Sequence, residues 1–482
     1  MDVRHRYLHW GLCILAVAIL LVASTYKLSE SPGIWLDEGI YTQLGMNVAQ
    51  TGQLALQVAP AEFQHSSYIS VGYPLIRPLA LSYKLFGVGV VQGRAVMVVF
   101  ILLFALASYW LMRRLYGPWV AAWSLLLLAG FPMLYGNGKS VLGEVPGLFF
   151  FILTLLALSY LEESGYRSWR WSVAAGLAAG LCIATKPIFL LVIGAVLVTL
   201  IIKRGSGVTW SSVVIGTAAL LIPFAYWLYT QLGADVTLSS ILHDYGNPYV
   251  ATHMATLVLQ NALRFFTETT PLYTALLLGI WATALFVRRR MTSISGAELL
   301  AFFFCLLIIA SYLRLPGWYR YLFPATIIVL MFLPAAAHIV FRALQEKWMV
   351  LKNQTWLISV VLALLVCAQL YQTACSSYVA EYYRSTRTRD VTAALIALPR
   401  TASIFLYNVP ELGVLLPTRQ YYQYVELSPG VVLGADQLPL LVRGVPDLVV
   451  INASMYVASP SLFARYTLLK TVDRYDLLKV LP

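Results

Sequence analysis

The chain has 482 residues, 60% of them hydrophobic and only 11% charged, with a formal net charge of +12 and a mean hydropathy of +0.76. A soluble multidomain protein is excluded, because apolar runs long enough to cross a ~30 Å hydrocarbon layer recur along the chain. The positive charge does not point to nucleic acid either: its arginines and lysines gather in short loops between apolar runs, where the positive-inside rule places them.

Eleven spans are expected, at about 8–26, 94–112, 118–135, 145–161, 171–185, 187–202, 209–230, 271–287, 297–313, 321–341 and 355–372. Arg4 and Arg6 before the run Leu8–Ala23 imitate a signal peptide, but that run is long for one and further spans follow, so it reads as a retained helix. Loops on the N-terminal side carry Arg113-Arg114, Arg167 with Arg170, Lys203-Arg204, Arg288-Arg289-Arg290, and Arg342 with Lys347 and Lys352. Their charge puts the N-terminus in the cytoplasm of a plasma or inner membrane. An odd number of spans then puts the C-terminus outside.

The fold class expected is an α-helical polytopic membrane protein with a small extracytoplasmic α/β domain. Residues 1–372 form the membrane domain and 373–482 the outer one. Two further pieces lie outside, the loops 27–93 and 231–270. In the tail a helix is expected over Thr386–Leu398, strands over Ser403–Tyr407 and Asp447–Asn452, and a hairpin over Thr467–Leu481. The five cysteines, Cys13, Cys182, Cys305, Cys367 and Cys375, are scattered without CxxC spacing, which argues for buried thiols rather than disulfides or zinc.

Chemistry-bearing residues concentrate at the outer ends of the spans. In Gly33-Ile34-Trp35-Leu36-Asp37-Glu38-Gly39-Ile40-Tyr41 two adjacent carboxylates open an amphipathic helix, Glu38–Gln50. Either Asp37 is an N-cap and Glu38 a dipole-favoured acid, or the pair is functional. A second amphipathic stretch, Pro74–Phe86, follows. Glu144 enters an apolar helix, with Lys139 five residues before it; such an acid is either functional or held by the helix dipole. Lys186 precedes Pro187, Arg320 and Tyr319 crowd the loop 313–321 with Arg314, and Arg77 and Arg94 bracket the end of the first loop. So many cations beside acids on one face suggest an anion site. His65, His243 and His253 lack metal-ligand spacing. No P-loop or GxGxxG occurs, so no nucleotide is implied.

The order of features carries a family likeness. Asp37-Glu38 is followed by Tyr73-Pro74-Leu75, Lys84-Leu85-Phe86-Gly87, Gly93-Arg94-Ala95, Arg113-Arg114-Leu115-Tyr116-Gly117, Lys139 with Glu144-Val145-Pro146, and Thr185-Lys186-Pro187. Over about residues 30–205 the chain resembles glycosyltransferase family 39 of the GT-C superfamily, which includes protein O-mannosyltransferases and the aminoarabinose transferase of lipid A. The resemblance implies a GT-C enzyme that takes a sugar from a polyprenyl-phosphate donor and gives it, with inversion, to a lipid, glycan or protein hydroxyl outside the membrane.

It also implies Asp37 as base, with Glu38 beside it and Glu144 as second acid, and Lys139 as the basic residue five before Glu144. Many bacterial relatives have a first-loop Lys-Pro-Pro whose lysine is held to meet the donor phosphate. Here the aligned stretch is Val71-Gly72-Tyr73-Pro74, so Arg77, Lys186 or Arg320, with Arg94 and Lys139, become the phosphate candidates. Trp35, Tyr41, Tyr73, Tyr319 and His243 are the sugar- or acceptor-side candidates. No cofactor is fixed; a divalent cation stays open. The competing class, a flippase of lipid-linked sugars, calls for inverted repeats and broken helices near the midplane, and neither is visible in the sequence.

Overall fold

The computed structural model describes residues 3–69, 71–203, 207–233, 236–246, 253–288, 294–348, 354, 356–458 and 460–482. Arg204, Arg289, Arg290 and Lys352 lie outside the described residues, as do the side chains of Arg4, Arg6, Asp244 and Tyr245.

Helix α1 (Val3–Thr25) is followed by the loop helices α2 (Leu36–Thr51) and α3 (Tyr73–Phe86). Next come α4 (Val90–Tyr116), α5 (Pro118–Gly130), α6 (Pro132–Gly138), α7 (Glu144–Glu163) and α8 (Trp169–Thr185). A 3-10 turn, Pro187–Leu190, leads into α9 (Leu191–Ile202). The chain continues through α10 (Trp210–Gln231), α11 (Leu238–Gly246), α12 (Met254–Thr267), α13 (Thr269–Arg288), α14 (Gly296–Tyr312), α15 (Tyr319–Lys347) and α16 (Trp356–Tyr371).

The chain is a multi-pass membrane protein, and a helix stands at each of the eleven expected spans, though not at equal length. Among the described residues seven helices are long and apolar enough to cross a membrane, or eight if the bent pair α5–α6 counts as one span. Helices α9 and α14 are shorter apolar helices, and α8 has 17 residues.

The reading of 118–135 as one unbroken span is corrected. The chain bends by 62° between α5 and α6, where Pro132 lacks the N–H that would continue the ladder. The freed carbonyls are satisfied locally, which membrane depth demands: the Tyr135 hydroxyl donates to Ala129 O at 2.5 Å and Thr373 Oγ1 to Gly130 O at 2.8 Å. The break is a saturated kink.

Loop charges gather at one end of the bundle. Arg114 pairs with Glu163, Lys203 Nζ lies 2.9 Å from Glu162 Oε1, and the Gly296 amide donates to Glu162 Oε2 at 2.9 Å. The Arg288 guanidinium donates to the Tyr116 hydroxyl at 3.3 Å. These contacts tie together the ends of α4, α7, α9, α13 and α14.

The opposite end holds the two acidic stretches and the tail. There a hairpin of β1 (Leu56–Ala59) and β2 (Glu62–Gln64) follows α2. The tail contributes α17 (Tyr378–Glu381), α18 (Arg387–Ile396), β3 (Ile404–Tyr407), β4 (Tyr421–Ser428), β5 (Val431–Leu433) and α19 (Leu438–Arg443). It closes with β6 (Leu448–Asn452), α20 (Ala453–Ala458), β7 (Tyr466–Val472) and β8 (Tyr475–Val480). The sheet order is β5-β4-β3-β6-β8-β7, with β3 parallel to both β4 and β6 and the outer pairs antiparallel. Four of its strands, β3, β6, β7 and β8, and the helix stand within a residue or two of their expected places; β4 and β5 were not anticipated.

Helix α2 is clamped between α3 and the tail, which explains why residues 38–47 are all buried. Its polar members make the docking specific. Gln43 Nε2 donates to Pro410 O at 2.6 Å and to Gln423 Oε1 at 2.9 Å, while Gln423 Nε2 donates to Gln57 O at 3.0 Å. Gly39 is required here: a Cβ on it would lie 2.2 Å from the Glu411 amide nitrogen. Glu30, just after α1, accepts the Thr388 and Arg389 amides at 2.9 and 3.1 Å and so caps α18 from a distance. The tail is thereby fastened to the loop 27–93 on both sides of Asp37.

Candidate active site

The N-terminus of α2 has no side-chain cap. Trp35 occupies the cap position in extended backbone, φ −144° and ψ 171°, and Asp37 falls in the first turn. The capping explanation of Asp37 is therefore set aside: its carboxylate turns away from the helix end. It meets Arg320, in the first turn of α15, where Arg320 Nη1 donates to Asp37 Oδ2. The guanidinium is boxed by rings, 4.9 Å from the centroid of Trp35, 4.7 Å from Trp318 and 5.0 Å from Tyr321. Its Nη2 also donates to the Tyr321 hydroxyl at 3.1 Å. Such packing restricts a long side chain to few rotamers and adds cation–π attraction. Asp37 remains 20% exposed and Arg320 11%, so the pair is open to a ligand.

Both groups line a cleft of about 740 Å³, within the size range of small-molecule sites. Its polar end also receives Tyr41, Tyr68, Lys186 and Arg314. Its apolar wall comes from the turn after α8, from α9 and from α14, with Ile188, Leu191, Leu307 and Ala310. Glu426 and Leu427 of β4 bring the tail to the same cleft. The cavity is thus two-faced, charged beside α2 and greasy along α9 and α14.

Lys186 reaches the cleft because Pro187 forces the preceding residue out of the helical region: Lys186 ends α8 at φ −159° and ψ 137°. Its ammonium lies 2.5 Å from Glu144 Oε1 and 5.9 Å from the Tyr41 ring centroid. Glu144 is buried in the first turn of α7, and its Oε2 has no hydrogen-bond partner among the described residues. It stands behind Lys186 rather than on the cleft wall.

Other candidates are placed elsewhere. Glu38 and Arg94 are both buried and form a two-point pair, Nε to Oε1 at 2.8 Å and Nη2 to Oε2 at 2.7 Å. Glu38 Oε1 also accepts the Val141 amide at 3.2 Å, and Arg94 Nη1 donates to Leu28 O at 2.9 Å. This pair locks α2 onto α4. Replacing Arg94 by methionine leaves a buried carboxylate uncompensated, a loss of about 3–5 kcal/mol. Thermal unfolding in detergent should show the large drop, and an unchanged midpoint contradicts this role.

Lys139 is buried, and its Nζ donates to Tyr26 O at 2.7 Å. Burial, with Arg94 nearby, pushes its pKa down to about 7. A lysine depressed in the fold but not in the unfolded chain carries its full destabilising penalty below about pH 7 and loses it progressively as the pH rises from there toward the ordinary value of 10.5. The wild type should therefore gain more thermal stability than Lys139→Met between pH 7 and 9; parallel profiles contradict this.

Arg77 donates to the Tyr226 hydroxyl at 3.1 Å, and Tyr73 packs edge-on against the same ring. Tyr319 donates to Glu268 at 2.7 Å. His243 is exposed on α11. None of these lines the cleft. Sequence reading pointed to Tyr319 in the crowded loop before α15, but the rings that face Arg320 are Trp35, Trp318 and Tyr321. Among the described residues no three His, Cys, Asp or Glu side chains group as a metal site would need.

Residues 78–229 match the family model described as dolichyl-phosphate-mannose-protein mannosyltransferase. The structure is similar to that of ArnT from Cupriavidus metallidurans bound to undecaprenyl phosphate. That comparison has a TM-score of 0.65 and 19% identity over 97% of this chain and 98% of that one. It is also similar to the archaeal oligosaccharyltransferase AglB from Archaeoglobus fulgidus, in complex with an inhibitory peptide and a dolichol-phosphate. There the TM-score is 0.58 at 12% identity, over 96% of this chain and 71% of that one. No curated protein sequence matches the chain significantly. The fold is that of the GT-C glycosyltransferases, as the sequence likeness implied.

Proposed function

We propose that the chain is a membrane glycosyltransferase that moves a sugar from a polyprenyl-phosphate donor to an acceptor hydroxyl on the outer face of the membrane. One observation carries the reading: a carboxylate and two held cations, Asp37, Arg320 and Lys186, share a cleft whose other wall is apolar membrane helix. The fold similarity to a protein captured with undecaprenyl phosphate supports the donor class.

In this reading the prenyl chain lies along α9 and α14 and the phosphate meets Arg320 and Lys186. Arriving phosphate competes with Asp37 for Arg320, so donor binding frees the carboxylate. Asp37 then accepts the proton of the acceptor hydroxyl as that oxygen attacks the anomeric carbon. The bond from that carbon to the phosphate oxygen breaks with its electron pair, giving a lipid phosphate whose growing charge the two cations stabilise by a few kcal/mol. A single displacement of this kind inverts the anomeric centre. Glu144 holds the Lys186 ammonium in place, a positioning duty. The basic loops at the far end of the bundle face the cytoplasm, which puts the cleft and tail outside.

Purified protein incubated with radiolabelled polyprenyl-phosphate sugars should release lipid phosphate as the sugar passes to acceptor. A flippase would move the lipid across vesicles and release none, and that outcome rejects the reading.

A further inference from the structure

The outer sheet carries a surface that the transfer chemistry leaves unused. Strand β3 is paired in parallel with β4 on one side and β6 on the other, so the winding direction reverses at β3. In open α/β sheets, ligands bind outside the carboxyl ends of the strands at such a reversal. Beside that reversal the rings form two rungs across β3 and β4, one at the carboxyl end of β3 and one nearer the amino ends of both strands. Phe405 stacks with Tyr422 at 6.4 Å and 14°, and Tyr407 with Tyr424 at 5.0 Å and 13°. Tyr422, Tyr424 and Glu426 alternate along β4 and so share a face, about 7 Å from one to the next.

The turn at the end of β3 is built to hold this edge. Asn408 has φ 53°, a conformation asparagine tolerates better than most residues. Its amide donates to Tyr424 O at 2.8 Å, and its Oδ1 accepts the Glu426 amide at 3.0 Å. Tyr407 and Tyr424 are half-buried. Burial pushes both phenols up, joined at Tyr407 by the Glu426 carboxylate and at Tyr424 by Tyr407 and then Glu426. Glu426 itself is exposed, and it is also a wall residue of the cleft that holds Asp37. The ladder therefore ends at the mouth of the proposed active site.

We propose that Tyr407, Tyr424 and Glu426 form a saccharide-binding subsite that presents a glycan acceptor to the cleft. The inference rests on the glycosyltransferase reading for its purpose, but not for its chemistry. Tyr407 and Tyr424 stack on one another, and Tyr407 also meets Phe463 edge-to-face at 5.2 Å. A sugar therefore lays its apolar C–H face on the outer side of Tyr424, as aromatic rings favour, and donates adjacent hydroxyls to the two oxygens of the Glu426 carboxylate. None of the ladder residues is cationic, which disfavours a phosphorylated or otherwise anionic acceptor at this position.

The test uses full-length protein in nanodiscs without donor, and saturation-transfer NMR with maltotriose, cellotriose, mannotriose and chitotriose as probes. Saturation of at least one trisaccharide is expected, falling at least fivefold in Glu426→Gln or Tyr424→Ala and persisting in Asp37→Asn. Because Glu426 is exposed, its substitution keeps the test readable even if the tyrosine variant is poorly folded. No saturation of any of the four, or a signal unchanged in Glu426→Gln and in folded Tyr424→Ala, overturns the subsite. The lipid-phosphate release assay is scored separately. Saccharide binding without release rejects the transferase reading and keeps the subsite, and release without saccharide binding does the reverse.

Discussion

Asp37→Asn is expected to lower sugar transfer by about 10²–10⁴-fold, the usual contribution of a positioned general base, while the protein still folds and inserts. The isosteric amide fits the same partly exposed place, and the fastening of α2 rests on Glu38, Gln43 and Gly39 rather than on Asp37. Donor binding should persist, because the amide no longer holds Arg320 as a counter-ion. Turnover should collapse while donor affinity is kept or improves. Near-normal turnover in a well-folded Asp37→Asn protein would remove the base assignment.

Arg320→Ala is expected to be nearly as damaging by a different route. It removes the cation nearest Asp37 and, with it, the stabilisation of charge on the departing phosphate, worth a few kcal/mol and hence about 10²–10³-fold in rate. Donor affinity should fall together with turnover, unlike in Asp37→Asn. Arg320→Lys should recover only part, since an ammonium replaces neither the planar fork that reaches Asp37 and Tyr321 together nor the stacking on Trp35 and Trp318. Unchanged donor affinity in the alanine variant, read by competition with unlabelled polyprenyl phosphate, contradicts this role.

The two variants rest on residues that differ in how readable they were. Asp37 stood out through the order of motifs that follows it and the family likeness they carry, since on its own stretch an N-cap reading stayed open. Arg320 was one of many outer cations, and nothing in sequence ties it to a residue 283 positions away. The same blindness affected Glu38 and Arg94, 56 residues apart. Each looked functional alone, yet together they neutralise one another in the interior and join two helices. Burial separates them from Asp37 and Arg320, and burial is a property of the fold rather than of local pattern.

Helices α2 and α3 were legible nearly to their ends, since amphipathic spacing and Pro74 mark them. Strand β4 was not. Its odd positions Tyr421, Gln423 and Val425 are buried, but its even ones carry further tyrosines, so aromatic residues fall on both faces and the alternation disappears. Gln423 reads as polar and is in fact buried against Gln43 and Gln57. Missing β4 meant missing that the tail supplies Glu426 to the cleft. The bend between α5 and α6 was hidden for a related reason: Pro132 is followed by enough apolar sequence to continue the hydropathy of a span, and only the carbonyl partners Tyr135 and Thr373 reveal how the break is tolerated.

A structure of the wild-type protein in nanodiscs with a non-transferable polyprenyl-phosphonate sugar tests the central claim most directly. The account predicts the phosphonate against Arg320 and Lys186, the prenyl chain along α9 and α14, and Asp37 released from Arg320, within hydrogen-bond reach of the position from which an acceptor oxygen attacks the anomeric carbon. A donor seated away from this cleft, or one bound with its anomeric carbon out of reach of any oxygen that Asp37 could deprotonate, contradicts it.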